Sequence, residues 1–187
     1  RDSNVLLVCL LAITSVFAQP YEQEVRVTNH SASIVLAGTL TTPPSPKAVC
    51  VLVTGSGAQD RDETLLGHKP FKVLADSLAG RGYAVLRMDD RGTGASEGDF
   101  AGSTVDDFVT DIASGVGYVD SLFSTIPICV IGHSEGGGIA IRLGASDERV
   151  DMIVTLAAPA WRGDSIIMSQ CREMACLLYT SDAADDL

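Results

Sequence analysis

Ile131-Gly132-His133-Ser134-Glu135-Gly136-Gly137-Gly138 follows the apolar run Ile126-Pro127-Ile128-Cys129-Val130 and opens an apolar, alanine-bearing stretch, so it reads as a strand, a sharp turn and the start of a helix. Gly132 and Gly136 stand two before and two after Ser134. In that G-x-S-x-G spacing, small residues let strand and helix come close while the serine is strained between them. Such a turn lifts the hydroxyl out of the sheet and aims it, with the first free N–H groups of the helix, at the place where a carbonyl carbon could be held. Ser134 is therefore the candidate nucleophile. A glycine-rich loop that carries a serine by chance fits the same five residues, and the elements on either side have to separate the two readings.

Upstream, Ala48-Val49-Cys50-Val51-Leu52-Val53-Thr54 is apolar without alternation, the pattern of a strand buried on both faces of a parallel sheet. The loop Gly55-Ser56-Gly57-Ala58-Gln59-Asp60-Arg61-Asp62 comes next. It carries neither the dinucleotide nor the P-loop glycine pattern, which leaves phosphate binding weakly supported, whereas in acyl transfer the same place supplies an oxyanion N–H. Pro70 suits a first helical position, and Phe71, Leu74 and Leu78 keep helical spacing up to Arg81-Gly82, which predicts an amphipathic helix closed by a glycine. Tyr83 to Asp89 predicts another buried strand, and strand–helix–strand in that order is a crossover unit. In the turn-rich loop Asp90 to Gly98, a pairing of Asp89 or Asp90 with Arg91 that braces the loop stands beside a direct part in catalysis.

Ser103-Thr104 opens a further helix, with Asp106 and Asp107 complementing its dipole and with Val105, Phe108, Ile112, Val119 and Leu122 on one face, though Gly115 and Gly117 weaken it. Val150 to Ala157 predicts a strand after the Ser134 helix, and Ala158 to Met168 the start of a lid. Ahead of all these, Glu22 to Thr42 alternates as an antiparallel pair of strands with His30 in the solvated turn, ended by Pro43-Pro44-Ser45-Pro46. The fold class is α/β: a mostly parallel sheet with an antiparallel start and helices on both faces.

Both ends stand apart from that core. Residues 1–18 begin with Arg1, run through Val5 to Ile13, and close on Ser15-Val16-Phe17-Ala18, which predicts a secretory signal peptide cut after Ala18 and an exported, periplasmic or extracellular protein. The apolar stretch is short for a retained membrane anchor, the minority alternative. Residues 176–187, Cys176-Leu177-Leu178-Tyr179-Thr180-Ser181-Asp182-Ala183-Ala184-Asp185-Asp186-Leu187, fit neither a helix cap nor a core strand. They resemble a translated sequencing adapter, with a frayed acidic terminus as the alternative. The division is then 1–18 signal peptide, 19–175 partial catalytic-type domain, and 176–187 a non-native tail.

The 187 residues carry 13 basic and 24 acidic side chains. Without Arg1 and Asp2 at one end and Asp182, Asp185 and Asp186 at the other, 12 basic and 20 acidic remain, a net charge of −8. An acidic chain without basic patches argues against nucleic acid and against stable membrane association. No cysteine or histidine spacing fits a metal, and no cofactor motif is present; Cys50 and Cys129, inside apolar strands, are expected to be buried free thiols. Oligomeric state is open.

Taken together and in this order, V-T-G-S-G-A-Q-D-R-D-E, M-D-D-R-G-T-G-A-S and G-H-S-E-G-G resemble the secreted bacterial α/β-hydrolases related to serine aminopeptidases, acyl-CoA thioester hydrolases and esterases, over roughly Leu36 to Arg162. The resemblance implies an α/β-hydrolase fold with Ser134 as nucleophile in an elbow formed with Gly132, His133 and Gly136. It implies one oxyanion N–H from Glu135 and another from Ser56, with Gly57 the neighbour that could replace it. Thr54 stands where many relatives have histidine, which leaves backbone donation intact. The triad acid and histidine of that family follow the elbow in sequence. They are absent here: His133 is expected to point away from the catalytic face, while His30 and His68 precede the elbow, so no general base is assigned. The implied reaction is hydrolysis of a small-molecule carboxylic ester through an acyl-enzyme, in a chain that is a fragment. A peptidase acting on short peptides and a non-catalytic binding protein on the same fold are the other readings.

Overall fold

The computed structural model describes residues 19–161 and 163–185, so the expected signal peptide lies outside the described residues. Strands β1 (Tyr21–Asn29), β2 (Ile34–Thr42), β3 (Val49–Val53), β4 (Ala84–Met88), β5 (Ile128–His133) and β6 (Met152–Leu156) form one sheet in the order β1-β2-β4-β3-β5-β6. β1 pairs antiparallel with β2 and β2 antiparallel with β4, while β4, β3, β5 and β6 run parallel. The helices α1 (Pro70–Ala79), α2 (Val105–Leu122) and α3 (Glu135–Gly144) are the connections between parallel strands.

Binary pattern accounts for the layers. β3 and β4 are buried at every residue, as strands covered on both faces must be, whereas β1 buries only Val25, Val27 and Asn29, alternating with exposed neighbours. One face of the sheet packs on Val116 and Val119 of α2 and Ile139, Ala140 and Leu143 of α3. The other packs Cys50, Leu52, Val85, Cys129 and Ile131 against Phe71 and Ala75 of α1. Cys50 and Cys129 are free, buried and directly opposite each other across β3 and β5; contact with Cys129, together with burial, pushes the Cys50 thiol far up.

Thr104 caps α2 in a reciprocal box with Asp107, as Ser103-Thr104 and the acidic first turn predict. Gly115, which weakens the helix as a sequence, lies against Met88: a Cβ there would lie 2.6 Å from Met88 Cε, so that flexible side chain would have to shift. α1 ends earlier than predicted, at Ala79, with Gly80 in right-handed geometry, and the positive φ of +90° falls at Gly82. Arg91 pairs with neither Asp89 nor Asp90. Its Nε and Nη2 donate to Asp111 at 2.6 and 2.9 Å, because Asp111 on α2 is buried and needs a cation, while Asp89 is taken by Arg61.

β6 exposes Met152, Ile153, Val154 and Leu156 and pairs among the described residues only with β5. α4 (Gly163–Asp185) begins within the segment, Ala158 to Met168, expected to start a lid, and runs unbroken through residue 175 into the segment for which the sequence predicts no element; apart from half-buried Ile166, its described side chains are exposed.

Candidate active site

Ser134 sits between the last residue of β5 and the first of α3 with φ +52° and ψ −118°, a conformation non-glycine residues avoid. Two close approaches exclude any side chain at the flanking positions. A Cβ on Gly132 would drive into the Gly136 carbonyl and come within 2.6 Å of Gly137 N; one on Gly136 would collide with the Val53 and Thr54 carbonyls, with Val53 C at 2.9 Å. The turn is tied from outside as well, since Ser134 N–H donates to the Leu156 carbonyl of β6 at 2.9 Å and Gly137 N–H to the Ser134 carbonyl at 3.0 Å. Ser134 is half-buried, and its hydroxyl has no hydrogen-bond partner among the described residues. Glu135 is the first residue of α3, so its N–H has no acceptor within the helix.

The loop after β3 closes over this turn. Gly55 lies so near that a Cβ on it would stand 3.4 Å from Ser134 Cβ and 3.1 Å from His133 Nδ1. Gly55 N–H is already committed, donating at 2.5 Å to Glu63 Oε1. Ser56 N–H and Gly57 N–H donate to no described group, and Ser56 is exposed. The structure therefore brings Gly55 against Ser134, with Glu135 next after Ser134 and Ser56 next after Gly55 in the chain, and leaves the N–H groups of Ser56 and Gly57 without an acceptor among the described residues.

Four carboxylates fix the loop. Asp90 accepts from Thr54 Oγ1 at 2.6 Å and Gln59 N–H at 2.9 Å; burial pushes its carboxyl up to about 6 despite those two donors. Asp89 accepts from Arg61 N–H and Nε, both at 2.9 Å, and Nη2 at 2.8 Å; burial opposes its ionisation, but Arg61 holds the pKa below the usual carboxylate value. Asp62 pairs with Arg87, a buried arginine of β4 whose Nη2 also donates to Glu22 at 3.0 Å. Glu63, 9% exposed at its side chain, accepts from Gly55 and contacts His133 Nδ1 at 3.0 Å.

His133 departs from expectation: its ring turns toward the loop, against Glu63 and edge-on to Phe71 at 6.4 Å between centroids. No hydrogen bond joins it to Ser134. His30 lies in the exposed β1–β2 turn and His68 in the exposed segment before α1, and neither bonds Ser134. Glu63 escaped the sequence reading, and Asp90, read there as a brace for Arg91 or a direct participant in catalysis, holds Thr54 and Gln59 instead. The signal available for them was the density of acidic residues in loops between apolar strands, which reads equally as a solvated turn.

The profile of the family described as serine aminopeptidase, S33, matches residues 44–181. The chain belongs to that family. It is 30% identical over 155 residues to esterase EstD of Thermotoga maritima, covering 81% of this chain and 37% of that one. It is 33% identical over 100 residues to the AB hydrolase superfamily protein YisY of Bacillus subtilis, covering 51% and 36%. The chain thus spans little more than a third of the length of these relatives. Among solved structures, the Pyrococcus furiosus esterase superposes with a TM-score of 0.65 at 23% identity over 76% of this chain and 53% of that one. Est1E of Butyrivibrio proteoclasticus, solved with ferulic acid bound, gives 0.57 at 24% over 69% and 50%. The sheet order and its helices are those of the α/β-hydrolase fold. Within this S33-type chain, the G-H-S-E-G-G turn joins β5, which lies between β3 and β6, to α3.

Proposed function

We propose that this S33-family chain is the nucleophile-bearing part of a serine hydrolase that cleaves small carboxylic esters. The observation that carries the proposal is the strained Ser134, with an unengaged hydroxyl, facing a glycine loop with free N–H groups. Ser134 Oγ attacks the ester carbonyl carbon and its proton passes to a general base. The carbonyl oxygen becomes an oxyanion held by the N–H groups of Glu135 and Ser56; collapse releases the alcohol, and water hydrolyses the acyl-enzyme. None of the described histidines bonds Ser134, so the base and its acid partner are assigned to sequence of the complete protein that these 187 residues do not contain. Residues 19–175 are then the catalytic-type portion and 176–187 the adapter-like tail, which an overlapping genomic read would test.

The test is hydrolysis of p-nitrophenyl acetate by the complete protein and its Ser134→Ala variant. Loss of turnover by orders of magnitude is expected; wild-type turnover in the variant would refute the assignment. The 187-residue polypeptide alone should hydrolyse the ester no faster than its own Ser134→Ala variant. The family's aminopeptidase description supports a second reading, a peptidase, and aminoacyl p-nitroanilides assayed beside the ester separate the two. Export rests on residues 1–18, and a mature N-terminus at Gln19 is its expected signature.

A further inference from the structure

We propose that Glu63 is a positioning residue, whose carboxylate locks the loop carrying the Ser56 N–H onto the Ser134 turn. The proposal rests on the hydrolase reading and adds a residue to it.

Glu63 is ten residues beyond the end of β3, yet its side chain returns to the start of the loop. The return is built in locally: Glu63 N–H donates to the Asp60 carbonyl at 3.0 Å, and Asp60 Oδ1 accepts from Asp62 N–H at 3.0 Å and Thr64 N–H at 2.9 Å. The turn leaves Glu63 at φ +49°, a left-handed conformation that costs a non-glycine residue about 1 kcal/mol or more. What the conformation achieves is one oxygen, Oε1, in contact with two groups, Gly55 N–H at 2.5 Å and His133 Nδ1 at 3.0 Å. Gly55 belongs to the loop and His133, the last residue of β5, precedes Ser134 in the turn; a Cβ on Gly55 would stand 3.4 Å from Ser134 Cβ. The Glu63 side chain is mostly removed from water, so an oxygen at that reach holds both groups with little competition from solvent.

The other tethers act elsewhere. Asp90 and Asp89 fasten Thr54, Gln59 and Arg61 to the end of β4, so they fix the loop to the sheet. Glu63 fixes it to the turn. By occupying Gly55 N–H it also removes that donor from competition, which leaves the next N–H, that of Ser56, to face the reacting oxygen. Stabilisation of an oxyanion depends on donors already in place, and a displacement of about 1 Å is enough to lose much of it.

Reach, rather than charge, is the property on which this depends, and it sets the test. In the complete protein, Glu63→Gln keeps an oxygen at the same reach and should hold kcat for p-nitrophenyl acetate within about threefold of wild type. Glu63→Asp keeps the charge but is one methylene short, and with Glu63→Ala it should lower kcat by about 10- to 100-fold with KM within threefold. Binding of phenylboronic acid, which forms a tetrahedral adduct on the serine, should weaken in parallel. Amide hydrogen exchange supplies a readout independent of turnover: Gly55 should exchange faster in Glu63→Asp than in wild type or Glu63→Gln, while Val51 in β3 is unchanged. Glu63→Asp with wild-type kcat and wild-type exchange at Gly55 would overturn the proposal, as would Glu63→Gln behaving like Glu63→Ala. If Ser134→Ala retains turnover, the hydrolase reading fails instead, and exchange at Gly55 still decides whether Glu63 holds the loop.

Discussion

Replacing Gly136 by alanine adds one methyl group to the first turn of α3, and the structure specifies what it meets. The methyl would collide with the carbonyl oxygens of Val53 and Thr54 and lie 2.9 Å from Val53 C. All three are backbone atoms at the end of a strand paired on both sides, so no side chain can rotate away, and α3 must separate from β3 by roughly 1 Å. Overpacking of this kind costs about 1–3 kcal/mol, and a rigid backbone neighbour places Gly136→Ala at the upper end, about 3 kcal/mol. The helix-propensity gain of alanine over glycine, about 1 kcal/mol, offsets part of it. Gly138 is the internal control, because it lies in the same helix with nothing within 4 Å of its would-be Cβ. Gly138→Ala should gain the propensity term alone. The two variants should therefore differ by about 3 kcal/mol, on the order of 10 °C in Tm for a chain of this size. Urea and thermal unfolding followed by circular dichroism measure the difference. Equal stabilities for the two variants would refute the close approach of β3 and α3 on which the elbow geometry rests.

Asp90 should carry a pH signature. Its pKa of about 6 is above the ordinary aspartate value, so the folded state binds more protons between pH 4 and 6 and stability falls as pH rises through that window; Asp90→Asn should gain on the order of 2–3 kcal/mol relative to wild type across it, read from urea midpoints, and a pH-independent difference would contradict the burial argument. Asp111→Ala removes the buried partner of Arg91 and of Asn29 Nδ2, the latter bonded at 2.7 Å, and should cost about 3–5 kcal/mol by denaturant unfolding, whereas a loss under 1 kcal/mol would mean that Arg91 finds another anion. The 187-residue polypeptide should self-associate through the exposed apolar strand β6, and Val154→Lys should raise the concentration at which light scattering appears; unchanged scattering would place the association elsewhere.

The fold was legible because its signals are local and repeated. Unbroken apolar runs at Val49–Val53 and Ala84–Met88 encode two-sided burial, alternation at Val25 and Val27 encodes one-sided burial, and the box at Thr104 and Asp107 encodes a helix start. Ser134 was legible for the same reason, since two glycines at fixed spacing are a steric requirement written in five residues. The carboxylates were not. Asp89, Asp90 and Arg91 are adjacent in sequence, which suggests mutual pairing, but the strand end sends them to different partners: Arg61, Thr54 with Gln59, and Asp111. Partner choice there depends on which loop arrives at which strand end, a property of the sheet order and not of any window of sequence. Glu63 is the extreme case, because its role requires a turn at Asp60 and the arrival of β5 beside β3.

Strain is distributed in a way that bears on the proposed chemistry. Five non-glycine residues have positive φ: Ser33 in the β1–β2 turn, Glu63 and Leu66 in the segment between β3 and α1, Ser134 after β5, and Ala157 after β6. Four of the five follow the carboxyl ends of parallel strands, the edge at which α/β sheets place their ligands, and a conformation costing about 1–3 kcal/mol persists only where surrounding structure over-determines it. At Ser134 the cost can be separated from the hydroxyl. Ser134→Ala removes the nucleophile and keeps the Cβ, and with it the strain; Ser134→Gly removes both. Glycine forfeits about 0.4–1 kcal/mol through the greater freedom of its unfolded chain, so Ser134→Gly should still be the more stable of the two by about 1 kcal/mol, with neither variant turning over ester. Unfolding of the two proteins side by side decides the matter. A Ser134→Gly variant no more stable than Ser134→Ala would mean that the turn holds its serine without strain, and the unusual backbone would then be no argument for a catalytic role.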